Sequence, residues 1–217
     1  MIDPGPDVAR HVRALASAVA GAEDVTILVT HGHRDHAGAV TALASETGAT
    51  VAGPEGVEGL GRVLVDGATV VTDAGELIAL HTPGHTREHL CFHWVERRAL
   101  FAGDLVLGVG DTTWVAEYPG CVADYLKSLD RVKGLALAVI YPAHGPPLED
   151  PARALDRFEA HRLTRIDQVR AAMDRNPDAD VEALLDIVYG ATVPHSMRDA
   201  ARRSLEALVD HVTAARD

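Results

Sequence analysis

The 217 residues carry 20 basic and 32 acidic side chains, a formal net charge of −12. Hydrophobic residues at 47% and charged residues at 24% are globular usage and exclude a disordered chain, and no run of about 18 apolar residues is present to span a membrane. So negative a chain is disfavoured from passive adhesion to nucleic acid or anionic lipid. Met1 to Gly5 offer neither the basic nor the apolar stretch of a signal peptide. Two cysteines, Cys91 and Cys121, cannot build a disulfide framework. Both are read as reduced thiols of a cytoplasmic protein, Cys91 within the core. The count that stands out is 12 histidines.

Val8, Val12, Leu15, Ala16 and Val19 recur at helical spacing and predict a helix over 7–20. Val25 to Thr30 reads as a buried strand, followed by a Gly- and His-rich loop. A helix over 37–47 should end at Gly48, and 50–52 reads as the next strand. Strands over 70–72 and 77–80 pair around a turn at 73–76, and two more run over 90–95 and 99–102 around Glu96-Arg97-Arg98. A helix over 123–132 leads to a strand over 136–141. From Pro151 the pattern is helical throughout: 152–176, 181–189 and 196–215, the last with Ser196 as its N-cap. The organisation is an α/β catalytic domain over 1–150 and a helical module over 151–217.

The chemistry concentrates in His31-Gly32-His33-Arg34-Asp35-His36, directly after the first strand. Imidazoles suit zinc, and a carboxylate adds hard, negative donor character. Gly32 lets the loop curl so that side chains converge. His85 in Thr82-Pro83-Gly84-His85-Thr86, Asp104 in Ala102-Gly103-Asp104 and His144 in Ala143-His144-Gly145 each follow an apolar strand with glycine alongside. Five histidines and two aspartates are enough for two metals with open positions. Two close cations would lower the pKa of a shared water toward neutrality, giving a hydroxide for attack on a carbonyl or phosphorus centre. Asp35 and Asp104 would hold metal and orient that hydroxide, as the catalytic carboxylates. No Gly-x-Ser-x-Gly signature supports a covalent serine route, and the Gly-rich stretches spell no phosphate loop.

These motifs, in this order, resemble the metallo-β-lactamase-fold hydrolase superfamily over residues 2–150. The resemblance implies an αββα sandwich with metals at one edge of the sheets. Carried over, His31, His33 and His85 would hold one zinc, Asp35, His36 and His144 a second, and Asp104 would bridge them; manganese or iron would be alternatives. Asp3, in Ile2-Asp3-Pro4-Gly5, matches the family's early turn aspartate, which supports a ligand. His161-Arg162-Leu163-Thr164-Arg165, Gln168-Val169 and the 205–212 helix resemble the winged-helix-like C-terminal module of the β-lactamase-like protein 2 subgroup. The chain begins at the early turn, so the family's first N-terminal strands are expected to be missing. An uncovered sheet edge would then invite a homo-oligomer.

Two substrate classes follow. The subgroup resemblance implies single-stranded RNA. A small-molecule ester or thioester, as in glyoxalase II-like and polyketide thioesterase relatives, is preferred here. The net charge opposes a phosphate backbone, the arginines at 153–175 are interleaved with acids, and stacking aromatics are few. A mononuclear dioxygenase would leave the second ligand set unused, and a non-catalytic relict would not retain every ligand. His81, His89 and His93 match no ligand position. Trp114 and Tyr118, after Asp104, are placed at the border of the cleft. The helical module is expected to shape the substrate entrance.

Overall fold

The computed structural model describes residues 1–190 and 193–216; Ala191, Thr192 and Asp217 of the expected module lie outside them. Two sheets pack face to face with helices on both outer surfaces, an α/β sandwich. The first sheet joins β1 (Thr26–Leu28), β2 (Thr50–Gly53) and β3 (Arg62–Val63) in parallel. Period-2 alternation sorts the strand residues between layers. Ile27 and Val29 face outward, onto Val12 of α1 (Ala9–Val19) and Val40 and Leu43 of α3 (Val40–Thr47). Leu28 faces inward with Ala52 and Leu64, against Val70, Leu77, Ala79, Leu90 and Phe92 of the second sheet.

The second sheet runs in sequence order: β4 (Thr69–Thr72), β5 (Gly75–His81), β6 (Leu90–Trp94), β7 (Ala99–Gly103) and β8 (Val139–Pro142). Its pairs are antiparallel until β7 and β8, which lie parallel. A parallel pair needs a crossover, and α4 (Cys121–Lys133) is part of it. Cys91, Leu100, Ala102 and Ile140 form the outer face of this sheet. They share one cluster with Tyr125 and Leu129 of α4, Leu155, Phe158 and Ile166 of α5 (Pro151–Arg175), Leu185 of α6 (Val181–Tyr189), and Leu205 and Leu208 of α7 (His195–Ala214). The C-terminal helices therefore complete the core of the sheet they cover.

Several local expectations are adjusted. The helix expected over 37–47 is two: α2 (Arg34–Ala37), inside the His loop, and α3, separated at Gly38–Ala39. Gly48 does end α3, in the left-handed region at φ 71°. β3 had no sequence signal, because two exposed residues carry no periodicity. Ser196 is not an N-cap. The helix starts one residue earlier, at His195, behind Pro194, which makes no side-chain cap. At the chain start, Leu28 N–H donates to the Met1 carbonyl and Asp3 N–H to the Leu28 carbonyl, so Met1–Asp3 line the outer edge of β1. No helix among the described residues is long and apolar enough to cross a membrane.

Candidate metal centre

The sandwich delivers its polar residues to one edge. His31 follows β1, His33, Asp35 and His36 enter or sit on α2, His85 follows β5, Asp104 follows β7 and His144 follows β8. All seven candidate ligands converge there. Their donor atoms fall into three overlapping groups, each within 4.8 Å: His31, His33 and His85; His31, His36 and Asp104; and Asp35, His36 and His144. Gly103 makes the approach possible. Its φ is +49°, and a Cβ there would sit 2.7 Å from His89 Nε2 and 2.8 Å from Thr30 Oγ1.

Hydrogen bonds on the far side of each ring decide where its proton sits. His85 Nδ1 donates to the Trp114 carbonyl at 2.8 Å. His33 Nε2 donates to the Glu117 carboxylate at 3.0 Å. Thr30 Oγ1 donates to Asp3 Oδ2 at 2.8 Å, so its lone pair is free to accept from His31 Nδ1 at 2.9 Å. In neutral rings the remaining nitrogens, His31 Nε2, His33 Nδ1 and His85 Nε2, then carry lone pairs. They stand 3.0 to 3.2 Å apart. Three acceptors at that distance with no proton between them repel one another, and a cation between them resolves the conflict. The arrangement fits a metal.

The second group is built similarly. His36 Nδ1 donates to Asp3 Oδ2 at 2.9 Å, turning Nε2 inward. That nitrogen and Asp104 Oδ1 are both buried without a hydrogen-bond partner, which an intact core rarely tolerates. Asp104 spans the two groups: Oδ1 lies 3.5 Å from His36 Nε2 and from His144 Nε2, and Oδ2 lies 3.5 Å from His85 Nε2. Asp35 Oδ2 is 3.3 Å from His144 Nε2. Asp35 and His144 are exposed, whereas His31 and His36 are buried, so the centre has a closed back and an open mouth.

Without a cation the electrostatics are polarised. Burial, then the neighbouring imidazoles, drives the His31 pKa far down. Burial also lowers His85, against the pull of Asp104. For His36 burial opposes the charge, but Asp104 and Asp3 outweigh it and push the pKa up to about 10. Burial would raise the Asp104 carboxyl, yet His36, His85 and His144 hold it below the ordinary range. Two imidazoles, His31 and His85, biased toward the neutral form beside an ionised Asp104 carboxylate approach the donor state that a divalent cation requires.

Several supporting residues lie outside the ligand groups, Asp3 as the early turn motif led one to expect and the others without a sequence signal. Asp3 accepts from Thr30 N–H, Thr30 Oγ1 and His36 Nδ1, which is a ligand-supporting role. His89 belongs to none of the three donor groups and supports one of their members instead. It is fully buried, accepts from the Asp104 N–H at 3.1 Å and bonds the Thr82 hydroxyl, and burial takes its pKa down to about 3. Glu117 and the Trp114 carbonyl, which orient His33 and His85, lie in an irregular loop without a readable spacing. Tyr118 holds the Arg87 guanidinium 4.3 Å over its ring. His81 turns away, to the Arg87 carbonyl.

A model of the Metallo-beta-lactamase superfamily matches residues 1–144. The Beta-lactamase-like protein 2 homolog of Caenorhabditis elegans is 30% identical over 95% of this chain and 72% of its own length. An Atrochrysone carboxyl ACP thioesterase of Aspergillus fumigatus is 29% identical over 98% of this chain. The chain spans about half the length of that and other fungal relatives it matches. Among solved structures, a Beta-lactamase domain protein from Burkholderia ambifaria superposes with a TM-score of 0.86 at 20% identity, over 99% of this chain and 76% of that one. The protein TTHA1623, solved in a di-iron-bound form, superposes at 0.56 with 27% identity, over 70% of this chain and 85% of its own. The matched sequence, the layered fold and the edge where histidines and aspartates converge lead to one conclusion: the chain belongs to the metallo-beta-lactamase superfamily, the hydrolase family its motifs resemble.

Proposed function

We propose that the chain is a dinuclear metal-dependent hydrolase, with zinc as the native pair, that cleaves an ester- or thioester-like bond in a small molecule. The observation that carries this reading is the convergence of three lone-pair nitrogens beside a buried carboxylate that faces both ligand groups. His31, His33 and His85 would hold one cation, and Asp35, His36 and His144 the other. Asp104 would be shared between them. Imidazole and carboxylate donors suit zinc and also accept iron or manganese. Bound, the pair would supply Lewis acidity and a water acidified toward neutral pH.

The chain's own groups do the rest. Asp104 sets the spacing, one oxygen toward each ligand group. Asp35 turns Oδ2 to His144 and is exposed at the open mouth, where its other oxygen would orient the attacking water and take its proton. Thr30, His31 and His89, all buried, close the rear of the site to solvent. The departing group favours the thioester. A thiol ionises near about 8.5 and leaves as thiolate unaided, whereas an alkoxide needs the proton returned by Asp35. Relatives named as acyl carrier protein thioesterases support the same class. Part of the basic charge is already neutralised: Arg170 pairs with Asp167, Lys133 with Asp156 and Glu159, and Arg198 with Glu182 and Asp186.

The test is turnover by zinc-loaded protein of acyl thioesters, esters, lactones, β-lactams and a labelled single-stranded RNA, each compared with Asp35→Ala. Thioester or ester hydrolysis that disappears in the variant is expected. RNA cleavage that disappears in the variant, with no ester or thioester turnover, would replace this substrate class.

A further inference from the structure

Among the described residues, Arg162 on α5 is the only buried Lys or Arg, at 3% exposure. The charged neighbours that act on it there include no carboxylate. Its Nε has no hydrogen-bond partner. Its Nη2 donates to the Thr113 carbonyl at 3.0 Å, and its guanidinium lies 5.2 Å from the centre of the Tyr125 ring. A buried, unpaired cation is costly, so the contact it does make is the place to look for its use.

Thr113 opens a segment with an unusual duty. The Thr113 hydroxyl donates to the Asp104 carbonyl at 2.9 Å. The Trp114 carbonyl accepts from His85 Nδ1 at 2.8 Å. Trp114 Nε1 donates to Glu117 Oε1 at 3.2 Å, and the same oxygen accepts from His33 Nε2 at 3.0 Å. Three residues within a stretch of five thus touch three of the candidate ligands. Yet the segment is neither helix nor strand. Among the described residues no backbone-to-backbone hydrogen bond outside the regular elements involves Thr113 to Glu117. Its only buried apolar side chain is Val115. Among the described residues, the Arg162 guanidinium is its one hydrogen-bonded tie to the C-terminal helices.

We propose that Arg162 is a positioning residue of the metal centre: from α5 it pins Thr113, and so holds the segment Thr113–Glu117 that aligns His33, His85 and Asp104. The inference rests on the reading that these residues hold metal. It makes the C-terminal helices a determinant of metal affinity as well as of the substrate entrance.

The test uses the full chain as wild type, Arg162→Met, Arg162→Lys and Glu117→Gln, with the exposed, ion-paired Arg170→Ala as control. Zinc affinity is read by competition with a chromophoric chelator, and the segment by the zinc-induced change in Trp114 fluorescence. Circular dichroism establishes that each variant is folded. Arg162→Met should bind zinc on the order of 10- to 100-fold more weakly, the range for losing a ligand's supporting partner, and should lose the fluorescence response. Glu117→Gln, which keeps the acceptor oxygen but not its charge, should weaken zinc binding by a smaller factor. Arg162→Lys, which keeps one donor, should recover part of the affinity, and Arg170→Ala should match wild type. A residue with a merely structural role would lower the unfolding temperature and leave the affinity of the folded protein alone. Wild-type affinity in folded Arg162→Met overturns the proposal. If that variant does not fold, wild-type affinity in both Arg162→Lys and Glu117→Gln overturns it. A wild-type chain that binds no zinc overturns the underlying metal-centre reading instead.

Discussion

Asp3 lies outside the candidate ligand groups yet controls the proton on two of their rings. Its carboxylate accepts from Thr30 N–H at 2.8 Å, Thr30 Oγ1 at 2.8 Å and His36 Nδ1 at 2.9 Å. Its backbone is left-handed, at φ 46°, a region that Asn shares with Asp. Asp3→Asn therefore keeps the turn while replacing one acceptor by a donor. Oδ1 must stay on Thr30 N–H, which leaves the amide NH₂ facing His36 Nδ1 and Thr30 Oγ1. His36 then has to accept at Nδ1 and carry its proton on Nε2. Thr30, now accepting, donates to His31 Nδ1 and moves that proton to His31 Nε2. Both ligand groups lose a lone pair. Charge-assisted bonds exchanged for neutral ones cost about 1–3 kcal/mol, while zinc affinity should fall on the order of 10- to 100-fold or more. Asp3→Ala reverses the balance of damage. It breaks a buried ion pair, for about 3–5 kcal/mol, and places a Cβ-bearing apolar residue in the left-handed region, for roughly 1–2 kcal/mol more. Urea unfolding of the metal-free proteins and chelator competition measure the two effects separately. An Asn variant with wild-type zinc affinity would refute the tautomer argument.

Other outcomes follow from the same geometry. Asp104→Ala removes the carboxylate facing both ligand groups, so metal content and turnover should collapse while far-UV circular dichroism is retained; full turnover would show that Asp104 does not bridge. Gly84→Ala, at φ +136° with a Cβ falling 2.5 Å from Tyr125 Cβ, should lower stability by about 3 kcal/mol or more, read as a fall in unfolding temperature; an unchanged temperature would contradict the close packing of the His85 loop on α4. Leu208→Ala in α7, fully buried in the cluster shared with the second sheet, should cost about 2–5 kcal/mol within a single cooperative transition. Two resolved transitions would show that the C-terminal helices fold as a separate unit.

The candidate ligands were legible because they follow apolar strands, and strand ends at one sheet edge converge whatever their distance in sequence. The His loop compresses four of them into six residues, and Asp104 and His144 announce themselves by a flanking glycine. What could not be read is burial and support. Asp35 and His36 are neighbours, yet one is exposed and the other buried, because α2 turns them to opposite sides. Glu117, Trp114 and Thr113 sit in a loop with no periodicity and reach His33, His85 and Asp104 only after β5, β7 and α5 have packed. The helical faces of α5 to α7 showed in their apolar spacing. That they complete the core of the second sheet did not, since periodicity names a buried face and not its partner.

The central claim is that one edge of the sandwich holds a pair of divalent cations on His31, His33, Asp35, His36, His85, Asp104 and His144. Elemental analysis of protein purified without chelator and equilibrated with zinc tests it most directly. The account predicts about two metals per chain, the number such ligand sets hold, falling in Asp104→Ala. A content near zero under metal-replete conditions would contradict it.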